Sequence, residues 1–252
     1  MLQSKFLVLS ILFFLGLKEL SAQQKTRALV LTERGGNHEG FVVAALQWLQ
    51  PFAVENNIEI TVINHTDLIN EAYLANFPLF IQLNYPPYNW TDSAKIAFEK
   101  YIDQGKGGWI GFHHATLLGD FDGFKIWNWF SGFMGGIQFK NYVADRASGL
   151  VYVEARKHPV MQGLPKSFSI PDDEWYTFDK NPRPNITVLA NVDEASYIPP
   201  TDVTMGDHPV IWLNEHKKAR NVYFLMGHHA NLLKSEEFKK MFANAILWAS
   251  KK

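Results

Sequence analysis

An α/β domain with a mainly parallel sheet covered by helices on both faces is the fold class this sequence predicts. Two observations carry it. Short runs of β-branched and aromatic residues alternate with helix-length amphipathic segments. The runs are apolar almost throughout, as strands buried inside a layered α/β domain must be. With no internal repeat and no low-complexity linker, one domain accounts for the chain after its first segment.

The first segment predicts an export signal. Lys5 gives a positive start, Phe6 to Leu17 is an almost unbroken apolar run, and Leu20-Ser21-Ala22 ends in small residues before Gln23. The run is too short to span a bilayer and fits the apolar core of a signal peptide over residues 1–22. Cleavage after Ala22 is expected, an uncleaved anchor being the alternative, and the domain then covers 23–252. The location expected is periplasmic or extracellular and soluble, with no membrane association after cleavage.

In order, Arg27 to Thr32 reads as a strand, followed by the glycine loop Glu33 to Gly40. Phe41 to about Glu55 reads as a helix, with Val42, Leu46, Leu49 and Phe52 on one face. Strands follow at Ile58 to Ile63 and Pro78 to Leu83. Thr91 caps a helix reaching about Gln104, and Gly105, Gly107 and Gly108 turn the chain into a strand ending at Phe112. Gly123 to Gly136, crowded with aromatics, reads as a helix with a glycine-rich exit. Leu150 to Ala155 is a strand, and His158 to Trp175, shaped by prolines, reads as loop and turn. Ile186 to Ala190, Pro209 to Leu213 and Asn221 to Met226 supply further strands, and Glu236 to Ser250 a closing amphipathic helix.

Composition narrows function. The formal charge of −1 gives no basic footprint for nucleic acid or an anionic membrane. The sequence has no cysteine, so disulfides, thiolate nucleophiles, Cys-ligated zinc and a lipidated cysteine anchor are excluded. Neither GxxxxGK[ST] nor GxGxxG occurs, so no nucleotide cofactor is expected. The aromatic content of 14% suits carbohydrate ligands and an ordinary core equally.

The candidate chemistry lies in two histidine pairs, His113-His114 and His228-His229, each ending an apolar strand. The carboxyl ends of strands are where an open α/β sheet places its ligand crevice. Any one of these histidines read alone fits a helix cap; together they predict a site with a member from each pair. The segment from Gly107 to Ala115 resembles a nucleophile elbow with His113 at its apex. The loop after the first strand brings Arg34, Asn37 and His38 towards the same crevice, or else forms a surface turn. Asp172-Asp173-Glu174-Trp175-Tyr176 sets carboxylates beside aromatics, and Asp172 fits a solvated turn or a cap. His158-Pro159 and His208-Pro209 read as turns entering strands.

Taken in order along the chain, several pieces together resemble the trehalose-utilisation (ThuA-like) family, a branch of the class I glutamine-amidotransferase-like fold. They are the loop with His38, Gly107-Gly108 leading to His113, Phe130 to Gly136, and His158-Pro159 with Gly163-Leu164. Asp173-Glu174-Trp175-Tyr176, Pro209 to Trp212, Ala219 to His228 and Ala245 to Ala249 continue the series. The resemblance implies a flavodoxin-like three-layer α/β/α sandwich. Where amidotransferase relatives carry a cysteine at the elbow, this chain has His113, so glutaminase activity is not expected. One departure is that Lys140 and Asn141 stand where a histidine is expected after Gly135-Gly136.

The resemblance also implies breakdown of a disaccharide, glycoside or 3-keto sugar. His113, His228, Glu174 and Tyr176 are the candidate catalytic groups. Arg34, Asn37, His38, Trp90, His114, Trp129, Asp173, Trp175 and His229 are the candidate substrate contacts, with the tryptophan faces available to stack on a sugar. His38, His113 and His228 are the candidate ligands of a divalent, zinc-type metal, because neutral imidazoles beside a carboxylate form an open zinc-type set. Ordinary glycosidase chemistry is disfavoured, since adjacent Asp173 and Glu174 cannot flank a bond from both sides. A non-catalytic carbohydrate-binding module on the same fold is the alternative.

Overall fold

The structure, a computed structural model, describes residues 24–121, 123–143 and 146–251. The expected signal segment, 1–22, lies outside the described residues. β1 (Thr26–Thr32) leads to α1 (Glu39–Glu55) and β2 (Ile58–Ile63), and a short α2 (Glu71–Leu74) precedes β3 (Leu79–Leu83). α3 (Asp92–Asp103) and β4 (Gly108–Phe112) follow, then α4 (Asn128–Phe133), β5 (Phe139–Tyr142) and β6 (Ala147–Val153). The chain continues through β7 (Ser167–Asp173), β8 (Tyr176–Phe178), β9 (Thr187–Ile198), β10 (Pro209–Leu213) and β11 (Asn221–Phe224) to α5 (Glu236–Ala249).

Nine strands form one sheet in the order β2-β1-β3-β4-β11-β10-β9-β6-β7. From β2 to β11 every neighbour is parallel, as alternating strands and helices dictate; from β11 to β7 every neighbour is antiparallel. The sheet is thus a parallel α/β half extended by an antiparallel wing. Strand β4 shows how the layers are sealed. Trp109 points to α3 and α4, against Phe98, Phe130 and Phe133, while Phe112 points oppositely to Phe41 of α1 and Phe238 and Phe242 of α5. Period-2 alternation in a strand apolar on both sides produces this arrangement. Each such fully buried ring contributes roughly 1.5–3 kcal/mol relative to exposure. Gly111 is required here, because a Cβ would meet the Trp109 ring at 2.1 Å.

The middle of the chain departs from expectation in three places. The helix expected over 123–136 is confined to Asn128–Phe133, ended by Gly135 and Gly136 at positive φ. The stretch expected as loop contains β7, whose Phe168 and Ile170 are buried in alternation. Pro171 disguises it, and is tolerated because β7 is the sheet's edge strand. β9 runs on through the mostly polar segment 191–196, in which Val192 is buried, and β5 pairs with β8 as a separate two-stranded sheet.

Candidate metal centre and active site

The carboxyl ends of β1, β4 and β11 open on one edge of the parallel half. His113 follows β4 directly at φ 37, a left-handed conformation that aims its ring into the crevice, as an elbow does. The turn is locked from behind: Tyr223 donates its hydroxyl to the His113 carbonyl at 2.9 Å and contacts Thr116 Oγ1 at 2.6 Å. His38 stands at the start of α1 without capping it, so its ring is free to face the crevice. Its ring centroid lies 5.0 Å from that of His113 and 4.8 Å from that of His228. One ligand atom from each of His38, His113, Glu174 and His228 falls within 4.8 Å of every other.

Protonation follows from the surrounding acceptors. His113 Nδ1 faces the Leu225 carbonyl at 2.9 Å, so Nδ1 carries the hydrogen and Nε2 its lone pair. That lone pair points at Glu174 Oε2, 3.2 Å away. Burial holds the His113 pKa down to about 3, against the pull of Glu174, so the imidazole is neutral. Burial raises the Glu174 pKa and contact with His113 and His228 lowers it, the lowering prevailing, which requires a proton or a cation on the histidine side of that contact. An anionic oxygen and an imidazole lone pair therefore face each other, an arrangement that calls for a proton or a cation between them.

A proton would satisfy one pair, whereas the cluster holds more. His38 Nδ1 donates to Glu33 Oε2 at 2.9 Å, which leaves Nε2 buried with no partner. His228 Nδ1 is also buried and makes no hydrogen bond, although it lies 3.4 Å from Glu174 Oε2. His113 is the sealed floor of the cluster, while the side chains of His38, Glu174 and His228 retain slight exposure.

Two carboxylates behind the cluster set its geometry. Glu33 accepts from His38 Nδ1 and, through both oxygens at 3.0 Å, from His114 Nδ1. Burial would raise its pKa, yet these hydrogen bonds outweigh burial and bring it to about 2. Asp173 is fully buried and accepts the main-chain N–H groups of Glu174 (2.8 Å), His228 (3.0 Å) and Gly227 (3.1 Å). It thereby ties the Glu174 strand end to the His228 loop. Burial pushes its pKa up to about 7 despite those donors.

His38, His113, Glu174 and His228 converge, and Tyr176 joins them, its ring 4.1 Å from that of His113. Burial, together with the Glu174 carboxylate, raises the Tyr176 pKa well above its ordinary value, so its hydroxyl stays protonated. The remaining candidates stand elsewhere. His114 is the exception, its ring 4.4 Å from that of His38 and its Nδ1 on Glu33, so that Glu33, His38 and His114 form a second group of ligand type beside the first, whereas Asp173 is shut away from any ligand by the backbone it binds. Arg34 and Asn37 are exposed on the loop. His229 caps the turn Ala230–Lys234 and lies 3.3 Å from Asp172.

None of the three tryptophans offers a sugar-binding face at the cluster. Trp90 is buried against Phe80 and Phe98, and Trp175 is buried with its Nε1 on the Ala147 carbonyl. Trp129 bonds Asp103 at the far end of α3. The apolar bulk that suggested stacking instead serves the core. His158 and His208 are structural: His158 caps Val160, and buried His208 spans Glu194 and the Tyr176 carbonyl. Glu33 and the Leu225 carbonyl were not anticipated. Glu33 carried a signal, an acidic residue at a strand's carboxyl end five positions before a histidine, whereas a main-chain carbonyl leaves none.

No curated protein sequence matches the chain. Among solved structures, it is similar to a ThuA-like protein from Bacteroides uniformis, at 28% identity and a TM-score of 0.80 over 90% of this chain and 93% of that one. A ThuA-like protein from Parabacteroides merdae shares 14% identity, with a TM-score of 0.67 over 90% of each chain. A carbohydrate deacetylase shares the fold at 12% identity and a TM-score of 0.55, over 90% of this chain and 32% of its own. The model of the ThuA family, described as trehalose utilisation, matches residues 27–249, and the chain belongs to that family.

Proposed function

We propose that this protein is an exported carbohydrate-processing enzyme that uses a divalent, zinc-type metal held by His38, His113 and His228, with Glu174 at the open side. The observation that carries it is the buried convergence of imidazole lone pairs on an anionic carboxylate, each imidazole of His38 and His113 having its other nitrogen fixed by an acceptor. That is the usual construction of a histidine metal site, in which outer partners set the tautomer. The metal would supply Lewis-acid charge to a sugar carbonyl or a bound water. Glu174, slightly exposed beside the imidazoles, carries the proton taken from or returned to the sugar. Tyr176 offers a protonated hydroxyl beside it. With no cysteine in the chain, a thiol-dependent glutaminase reaction is excluded.

The family's link to trehalose utilisation supports a small sugar as the partner: a disaccharide, a glycoside or its 3-keto form. Lys5, the Phe6 to Leu17 run and Ala22 support export and cleavage, and a mass spectrum of secreted protein retaining Met1 would overturn that part.

The test of function combines elemental analysis of wild type and His113→Ala with product formation from trehalose and 3-keto-glycosides, with and without a chelator. Expected are stoichiometric metal in wild type, its loss in the variant, and activity that chelation abolishes. Full activity in metal-free protein would defeat the metal reading, and sugar binding without turnover would leave a binding module.

A further inference from the structure

We propose that an aromatic wall running outward from the cluster is a docking platform for the second ring of a disaccharide. The proposal rests on the carbohydrate reading above and names where that substrate extends. The wall begins at Tyr176, packed on His113 with the rings tilted by 35°. It passes to Phe139, 4.9 Å from Tyr176 between ring centroids, and from there to Phe121 at 6.2 Å and Tyr142 at 6.4 Å. Tyr88, 6.0 Å from Phe121, and Phe124, 5.8 Å from Tyr88, complete it. From His113 the wall passes through Tyr176, Phe139 and Phe121 before it reaches Tyr88 and Phe124.

Its outer rings stand in solvent: Phe124 is 48% exposed and Tyr142 40%. Exposed aromatic surface leading away from a polar site is a usual mark of a ligand surface, and Tyr176, at 3% exposure, backs the wall rather than receiving the sugar. The backbone is built to hold it. Residues 139 and 142 would lie on opposite faces of a regular strand, but a register shift between Phe139 and Asn141 lets their rings stack at 25°. Bulges beside active sites commonly re-aim side chains in this way. Phe121 and Phe124 exchange main-chain hydrogen bonds at 3.1 and 2.7 Å, and Asp120 closes the loop by binding Lys125 and Ile126 N. The loop also leaves the elbow directly, since Leu118 accepts from Phe139 N at 2.8 Å.

A pyranose suits this surface because its ring faces are apolar and its rim is polar. The exposed Lys140 and Asn141, on the same strand as Tyr142, supply polar groups for that rim. Stacking on several rings favours a disaccharide over a monosaccharide, since only the longer sugar reaches both the imidazoles and the wall.

The test is calorimetric binding of trehalose, maltose, cellobiose and glucose to wild type, to the Phe124→Ala/Tyr142→Ala double variant and to Tyr142→Phe, with metal content measured on each. Expected is a loss of about tenfold in affinity for at least one disaccharide in the double variant. Glucose binding and metal content should stay unchanged, and Tyr142→Phe should bind as wild type. Unchanged disaccharide affinity in the double variant, or no disaccharide binding by wild type, would overturn the platform while metal content reports separately on the cluster. Disaccharide binding lost with the rings in an inactive or metal-free protein would sustain the platform and sink the catalytic reading.

Discussion

His113 Nε2 and Glu174 Oε2 stand 3.2 Å apart, and His113 has already committed its Nδ1 hydrogen to the Leu225 carbonyl. The two facing atoms are both acceptors. The fold holds them together through Asp173 on one side and the strained elbow on the other, so the repulsion is sustained by surrounding structure.

That relationship predicts an unusual result for Glu174→Gln. The amide can donate to His113 Nε2, so the metal-free variant should melt at or above the temperature of metal-free wild type. Turnover should fall by about 10²–10⁴-fold as the proton carrier is lost. Thermal melts in chelator together with kinetics check this; a metal-free variant clearly less stable than metal-free wild type would refute the facing-acceptor argument.

Glu33→Gln should weaken metal binding by about 10–100-fold, the usual effect of removing an outer carboxylate. With its oxygen where Oε2 is now, the amide still accepts from His38 and His114, but its NH2 replaces Oε1 against His114 Nδ1, and the lost charge weakens the hold on the His38 tautomer. Competition with a chromogenic chelator measures this. Unchanged affinity would show that His38 needs no fixed tautomer.

The parallel half was legible because its strands are apolar on both faces and its helices amphipathic, and the carboxyl-edge rule gathers His38, His113 and His228 from remote stretches of chain. The antiparallel wing was less legible. Ser167–Asp173 has only Phe168 and Ile170 as apolar signals, with Pro171 among them. The tryptophans misled for a related reason: a ring's size marks burial and ligand stacking equally, and only the packing of Trp90 on Phe98 separates them. Glu33 and Asp173 act through hydrogen bonds to histidine rings and main chain, contacts that depend on the folded backbone.

His113 should make the metal-free protein less stable in acid. His113 titrates near 6.5 when unfolded and about 3 when folded, so below 6.5 the unfolded chain binds more protons. Stability present above that value is lost as pH falls towards 3. Glu33, lowered from 4.5 to about 2, adds to the loss at lower pH. Because Asp173 opposes this trend over nearly the same range, the effect is read in Asp173→Asn: its urea midpoints in chelator should fall from about pH 8 to about pH 4, and adding Glu33→Gln should flatten the most acidic part. A midpoint constant over that range in Asp173→Asn would contradict a buried neutral His113.

Asp173 has the opposite sign. Burial raises its folded pKa from 3.8 to about 7, so its contribution is fully present below 3.8 and is lost as pH rises through 7. The Asn side chain in Asp173→Asn keeps one oxygen. Directed at Glu174 N and His228 N, as Oδ1 is now, that oxygen leaves the amide NH2 facing Gly227 N, donor against donor. A cost of about 1–3 kcal/mol follows from the unmet donors. It should be greatest at low pH, where Asp173 is most favourable, and shrink towards pH 7. Because Glu174 and His228 hang from the same carboxylate, metal affinity should drop as well. Urea titrations at several pH values, paired with metal competition, check both effects. A variant equally stable and binding metal as wild type would mean that the Glu174 and His228 segments hold their positions without Asp173.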